Sequence, residues 1–284
     1  MQKRYALLTS IVAQVWGGSF IAIKIGVENI PPISLAFLRF AIASPFMLIL
    51  SMIWKRSRIN IKELPMLIAI ALTGVTLLYI LQFTGVKYTS ATNASLLINT
   101  NVLFIAIFSW IFLKEPFSYR KLAGVLLGFA GAVLVILNGS LSLSLSSIGD
   151  ILIIFSAICW AIYSILGKKM LKNYDAFSLT TYAFIIGTIL FIPFIYKDIW
   201  RLEISFTEWL IILYLSLICS VFAYVAWYYV LEKANATEVA IFLNLIPVFA
   251  MIMAHFILGE KITPYTLIGA VFIIYAIYLA ISNK

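Results

Sequence analysis

The sequence predicts an all-α integral membrane protein with ten transmembrane helices, arranged as two inverted five-helix repeats over residues 1–142 and 147–284. Three observations predict it. Of the 284 residues, 64% are hydrophobic and 11% charged, with a mean hydropathy of +1.09. One soluble core cannot hide that much apolar surface, so the surface faces lipid. Apolar runs recur at the length of about 20 residues that a helix needs to cross hydrocarbon. The second half of the chain then repeats the first in register.

The runs fall in order along the chain. Segments 5–24 and 33–54 are parted by Pro31-Pro32. Segment 65–84 follows "KRSRINIKE", and 92–113 comes next. Segment 119–137 follows "LKEPFSYRK", 149–169 follows "NGSLSLSLSSIGD", and 177–196 follows "KKMLKNYD". Segments 208–230 and 237–258 precede "GEKITP", after which 264–282 closes the set. Each break carries turn or charge signals, and none is long enough for a soluble domain. Lys3 and Arg4 precede the first run as in a signal peptide. That run is long, holds Gln14 and lacks a small-residue cleavage site, so it is read as part of the folded protein.

Lys and Arg set the expected orientation. With the N-terminus inside, one face carries Lys3, Arg4, Lys55, Arg56, Arg58, Lys62, Lys114, Arg120, Lys121, Lys168, Lys169, Lys172, Lys233 and Lys284. The other carries Lys24, Lys87, Lys197, Arg201 and Lys261. This imbalance predicts cytoplasmic termini in the cell's inner (plasma) membrane, with the 138–150 loop outside. The formal charge of +9 sits in these short gaps, not in a basic patch with interleaved aromatics, so no nucleic-acid partner is expected. Cys159 and Cys219 lie within apolar runs and read as packing residues, with no disulfide framework or metal spacing. No cofactor is expected.

Shifted by about 145 residues, the second half aligns with the first without a gap from position 74 onward. "TNASLLINTNVLFIAIFSWIFLKE" lies over "TEVAIFLNLIPVFAMIMAHFILGE". Tyr79 meets Tyr224, Asn99 meets Asn244, Glu115 meets Glu260 and Gly124 meets Gly269. Nearer the start the offset is one shorter, so Trp16 meets Trp160 and Lys24 meets Lys168. Five helices per repeat is odd, so the halves insert with opposite topology. That arrangement is typical of secondary transporters and puts a substrate site at mid-depth between the halves.

Polar residues inside the runs mark that site. Asn99 lies about 12 Å into its helix and Asn244 about 10 Å into the oppositely directed one. At such depth an amide either lines a wet cavity or bonds a neighbouring helix; cavity lining is the expectation for this pair. Asn101 is about 200° round the helix from Asn99 and is assigned to interhelical bonding. Trp16 and Trp160 sit near the bilayer centre, and Tyr79, Tyr163, Tyr224, Trp227 and Tyr228 also lie well inside. Their polar tips need partners, which points to an aromatic-walled pocket for a small amphipathic organic solute. Arg39 is the one Arg well inside a segment, and its repeat partner is Ala183. It either pairs a solute carboxylate or snorkels to the helix end.

Lys24, Lys168, Glu115 and Glu260 sit at helix ends and read as gate, anchor or loop-fixing residues. His255, the only histidine, returns to nearly the face of Asn244 and is a candidate for proton coupling. It has no Gly-x-Ser-x-Gly partner, and no cluster of intramembrane carboxylates or histidines exists for a metal, so an enzyme is not expected.

"VWGGSFIAIK", "LAFLRF", "FLKEPFSYRKLAGVLLGFAGAVLV" and "IPVFAMIMAHFILGEKITPYTLIGAVFIIYAIYL" together resemble the EamA-type families of the drug/metabolite transporter superfamily over nearly the whole chain. The helix-end Glu followed by a Gly in the next helix is the most specific element. "CWAIYSILGKK" departs from it, with Ala161 where the first half has Gly17. The resemblance implies ten helices in two inverted repeats, a central cavity and export of metabolites or drugs by alternating access. A lipid or polyprenyl-phosphate flippase of the same fold is the alternative, with Lys24 and Arg39 serving a basic cleft. The expected partners are the solute and the lipid bilayer, with monomer and dimer both open.

Overall fold

The computed structural model describes residues 1–53, 60–88, 91–116, 118–138, 148–195, 204–259 and 261–281. Among these, ten helical spans are long and apolar enough to cross a membrane. They are α1 (Lys3–Ile23), α2 (Pro32–Ile53), α3 (Ile61–Val86), α4 (Leu96–Leu113), α5 (Tyr119–Leu137), α6 (Ile148–Met170), α7 (Ala176–Ile195), α8 (Phe206–Lys233), α9 (Ala236–Ile257) and α10 (Pro264–Ile281). No strand occurs among the described residues. Large apolar side chains such as Ile49, Met52, Phe112, Phe256 and Tyr278 lie exposed on the periphery. This is the surface that lipid covers in a membrane protein.

Turn chemistry fixes the helix ends. Ser118 caps α5 by accepting from Lys121 N at 3.2 Å, and Ser205 and Glu208 form a reciprocal capping box on α8. α4 and α9 both end on a left-handed residue, Lys114 at φ 54° and Gly259 at φ 72°. Only Gly259 takes that conformation without a Cβ penalty.

Four interruptions shape the interior. α3 contains a π-helical turn at Leu72–Thr76 and α8 one at Tyr214–Phe222. α4 breaks at Thr100, between helical stretches Ala91–Asn99 and Asn101–Leu113. α9 tightens to a 3-10 turn at Ile241–Asn244. The α9 turn has a simple cause: Pro247 has no N–H, so the Leu243 carbonyl loses its helical partner. In α4 the Thr100 hydroxyl and amide both donate to Leu97 O, at 2.5 and 3.2 Å, which tightens the turn there. The interrupted helices are the third and fourth of each half.

α5 and α10 pack backbone to backbone. A Cβ at Gly131 would lie 2.6 Å from Gly269 O, so only glycine permits this approach. Gly17 does the same for α1 against α9, where a Cβ would stand 2.9 Å from Phe249 Cβ. Residues from each helix pair also meet their own counterparts. Ser44 and Thr188 share a 2.7 Å hydrogen bond at a separation of 144 residues. Phe40 and Phe184 have ring centroids 5.0 Å apart.

Candidate functional site

The π-helical turn in α8 redirects backbone acceptors towards the centre of the bundle. Cys219 O accepts from Trp16 Nε1 at 3.0 Å and from Arg39 Nη2 at 3.0 Å. Ser220 Oγ accepts from Arg39 Nε at 2.5 Å. The guanidinium also lies 4.8 Å from the centroid of the Tyr79 ring, in cation–π range. Arg39 is therefore 2% exposed, and every hydrogen-bond partner it has among the described residues is neutral. No ion pair of Arg39 occurs there.

Arg39 lines a partly open cavity, whose empty space of about 600 Å³ includes the solvent at its mouth. Trp16, Trp160 and Tyr79 wall it with Arg39, and Ser19, Gln82, Asn101 and Ser156 supply polar atoms. Ile23 and Gln82, from the last turns of α1 and α3, set it towards the end of the bundle that carries the α1–α2 connection.

Behind the cavity wall lies a closed aromatic cluster. Trp16 and Trp160 meet edge to face at 5.1 Å, and Trp160 stands 5.5 Å from Tyr224. Tyr163 stacks on Tyr228 at 4.7 Å, and Tyr228 donates to Tyr163 O at 3.2 Å. Trp227 donates to Ser164 Oγ at 3.3 Å. The Tyr79 and Tyr224 hydroxyls are 2.9 Å apart. Tyr163, Tyr224 and Tyr228 are 0% exposed and belong to this packed cluster in the conformation described, not to the cavity wall.

The asparagines take the reverse of their expected positions. Asn99 Nδ2 donates to Asn244 Oδ1 at 2.8 Å, and Asn244 Nδ2 donates to Ile241 O at 3.0 Å. They join the two halves instead of lining the cavity, and Asn101 lines it. The faces are opposite, as helical spacing requires, and Asn101 is the one turned to the cavity.

The opposite end of the bundle is closed by Glu115. Its carboxylate accepts from Lys168 Nζ at 2.8 Å, Ala236 N at 2.9 Å and Ser109 Oγ at 2.7 Å. Lys168 also donates to Ala234 O. Burial pushes the Glu115 carboxyl up, but Lys168 and these donors outweigh it and hold the group below the usual carboxylate range. Lys121 and Glu238 add a second pair at 3.0 Å. Glu260 lies outside the described residues, as does the 138–150 loop over residues 139–147, and the Lys24 side chain is likewise not described. His255 is exposed, with Phe256 beside it at 5.2 Å. The face it shares with Asn244 is covered by Gly128 of α5 at Asn244 and packs at Val248 and Met251 against the cluster of α5 and α10, while His255 itself is exposed. His255 thus stands away from the cavity.

Sequence reasoning missed the Cys219 carbonyl and Ser220 as the holders of Arg39. The available signal was "SLICS" in α8, where Ser216 and Ser220 recur at helical spacing in an apolar run.

The chain matches the profile of the EamA-like transporter family over residues 3–137 and 147–282. The chain belongs to the EamA-like transporter family. An Archaeoglobus fulgidus protein named an uncharacterized transporter is 44% identical over 290 residues, covering 100% of this chain and 99% of that one. The uncharacterized transporter YyaM of Bacillus subtilis is 32% identical over 274 residues, covering 93% and 89%. A solved crystal structure at 16% identity superposes with a TM-score of 0.83, over 99% of this chain and 97% of that one, and shows the fold. In this EamA-like transporter the Trp16–Trp160, Tyr79–Tyr224 and Asn99–Asn244 contacts all run from one matched range to the other.

Proposed function

We propose that this EamA-like transporter exports small amphipathic organic solutes bearing a carboxylate or similar anionic group, by alternating access around the central cavity. The observation that carries the reading is Arg39. It is a buried guanidinium on an aromatic wall, held by Cys219 O and Ser220 Oγ, with no carboxylate partner among the described residues. A buried charge without a counterion is costly; a solute anion removes that cost and is recognised by the guanidinium fork. Trp16, Trp160 and Tyr79 then receive the apolar body of the solute.

Alternating access is supported by two features. The cavity lies towards the end that carries the α1–α2 connection, while Glu115 and Lys168 bond the two halves at the other. Residues about 145 apart also meet in pairs near the centre, as they do beside a two-fold axis relating inverted repeats. With the Lys and Arg distribution read as a topology signal, both termini are cytoplasmic and the cavity faces outward.

The test is thermal stabilisation of the purified protein in detergent by a panel of amphipathic carboxylates and their primary amides. Wild type is expected to be stabilised by carboxylates and not by amides. Arg39→Lys should lose much of the response, because an ammonium lacks the bidentate fork, and Arg39→Gln should lose all of it. Equal stabilisation of all three proteins by the carboxylates ends the role of Arg39.

A further inference from the structure

The two central tryptophans carry the same indole N–H and use it differently. Trp16 Nε1 donates to Cys219 O in the α8 π-helical turn. Trp160 Nε1 is buried and has no hydrogen-bond partner among the described residues. The acceptor aligned with Cys219 is Gly74, 145 positions earlier and inside the α3 π-helical turn. Gly74 O is already occupied, because it accepts from Tyr224 OH at 3.1 Å. Trp160 is adjacent to that contact, with its ring 5.5 Å from the Tyr224 ring. Tyr163, one turn further along α6, is pressed so closely on Gly74 that a Cβ there would stand 2.0 Å from its ring.

The tyrosine pair gives the arrangement a direction. A phenol has one proton to donate. Tyr224 spends it on Gly74 O, so the 2.9 Å contact between hydroxyls must run from Tyr79 to Tyr224. Tyr79 is the counterpart of Tyr224. Exchanging the roles of the two halves reverses every bond: Tyr224 donates to Tyr79, Tyr79 to Cys219 O, and Trp160 to Gly74 O. Trp16 then becomes the unpaired donor.

We propose that the Trp160 indole N–H is a donor reserved for Gly74 O in the oppositely facing conformation. The Tyr79–Tyr224 hydroxyl chain reverses direction as the two indoles exchange acceptors. This rests on the alternating-access reading above and adds to it a specific hydrogen-bond switch. An unsatisfied buried donor disfavours the conformation that contains it, so each conformation leaves one indole unpaired and neither becomes a trap. Arg39 has no counterpart, because Ala183 aligns with it, and it alone makes the Cys219 side of the switch sensitive to an anionic solute.

The test uses the full chain in liposomes without any solute, with Cys159 and Cys219 replaced by Ala. Single cysteines at Phe20, half-buried on the cavity wall, and at its aligned position Ser164, fully buried here, report the two conformations. The readout is the ratio of their reaction rates with a small methanethiosulfonate. Trp160→Phe removes the unpaired donor here and the reserved bond there, so it should move the ratio about 3- to 10-fold towards position 20. Trp16→Phe should move it the other way by a smaller factor, because Arg39 still bonds Cys219 O. Tyr79→Phe and Tyr224→Phe, which remove only a hydroxyl, provide a second pair if a tryptophan variant does not fold. Tyr79→Phe should follow Trp160→Phe, and Tyr224→Phe should follow Trp16→Phe. Shifts of the same sign in both members of a pair, or no shift, overturn the switch. That includes the case in which both indoles serve only the solute, since none is present. If the cysteine at position 164 stays unreactive in every variant while that at position 20 reacts, alternating access itself has failed.

Discussion

At one end of the bundle Glu115 is met by an ammonium, a backbone amide and a hydroxyl; at the other, Arg39 meets only neutral acceptors among the described residues. Both groups are charged and both are at least partly withdrawn from water. The Glu115 end is satisfied by the chain itself, with partners drawn from α4, α6 and the start of α9. The Arg39 end is left short of a counterion beside open space. Substitutions at the first should therefore alter stability and the balance of conformations, and substitutions at the second should alter what the protein binds.

The largest effect is expected at Glu115. Glu115→Ala leaves Lys168 without its carboxylate and Ala236 N–H without its acceptor. Breaking such a pair costs about 3–5 kcal/mol when fully buried, and partial exposure here reduces that to about 2–3 kcal/mol. Glu115→Gln keeps an acceptor for Ala236 N and should cost roughly half as much. Thermal unfolding in detergent reads both. If the two variants unfold with wild type, the Glu115 contacts do not hold that end together.

The same end gives a pH dependence of definite sign. The Glu115 carboxyl lies below its usual range when folded, so the folded state favours the ionised form. Its contribution is fully present above the ordinary carboxylate value and is lost as pH falls through the lowered one. Stability of wild type minus that of Glu115→Gln should therefore be flat around neutrality and shrink in the acid range. A difference that grows on acidification contradicts the pairing with Lys168.

The ends differ in how far the sequence revealed them. Ten spans were legible because hydrocarbon demands about 20 apolar residues of each one. Glu115 and Lys168 were legible as helix-end residues. Their partnership was not, since it depends on α4 and α6 ending side by side. Arg39 stood out because a charge inside a span is rare. Its acceptors did not, because Cys219 O turns inward only through a π-helical turn that no proline announces. Asn99 and Asn101 were legible as opposite faces of α4, but which of them turns to the cavity was not, since helical spacing fixes only the angle between them.

The asparagine contact sharpens the comparison at intermediate size. It lies between the two ends and joins the halves without any charge. Asn99→Ala and Asn244→Ala should each cost about 1–2 kcal/mol, because each leaves a buried amide group unpaired. The double variant should cost less than their sum by about 1 kcal/mol. Solute affinity should hold within about two-fold in both single variants, since neither amide faces the cavity. Additive losses, or a tenfold loss of affinity at full stability, would return these residues to solute binding.

The smallest effect is expected at His255. Its helical phase matches Asn244, and phase alone made it a candidate for moving protons with the solute. Coupling requires more than a titratable ring at some depth in the bundle. The ring must reach the cavity in one conformation and the opposite solution in the other, and its charge must alter the fit of Arg39 or of the solute. His255 stands exposed beside Phe256 on the outer face of α9, while the cavity takes Leu243 and Ile246 from that helix. His255→Gln keeps a polar side chain of similar reach and removes the imidazole. Uptake into inverted vesicles, followed from about pH 6 to 8, should give superimposable profiles for wild type and the variant. A profile that is sloped in wild type and flat in His255→Gln would place a proton pathway along the outside of α9, and the contrast between the two ends would no longer account for transport by itself.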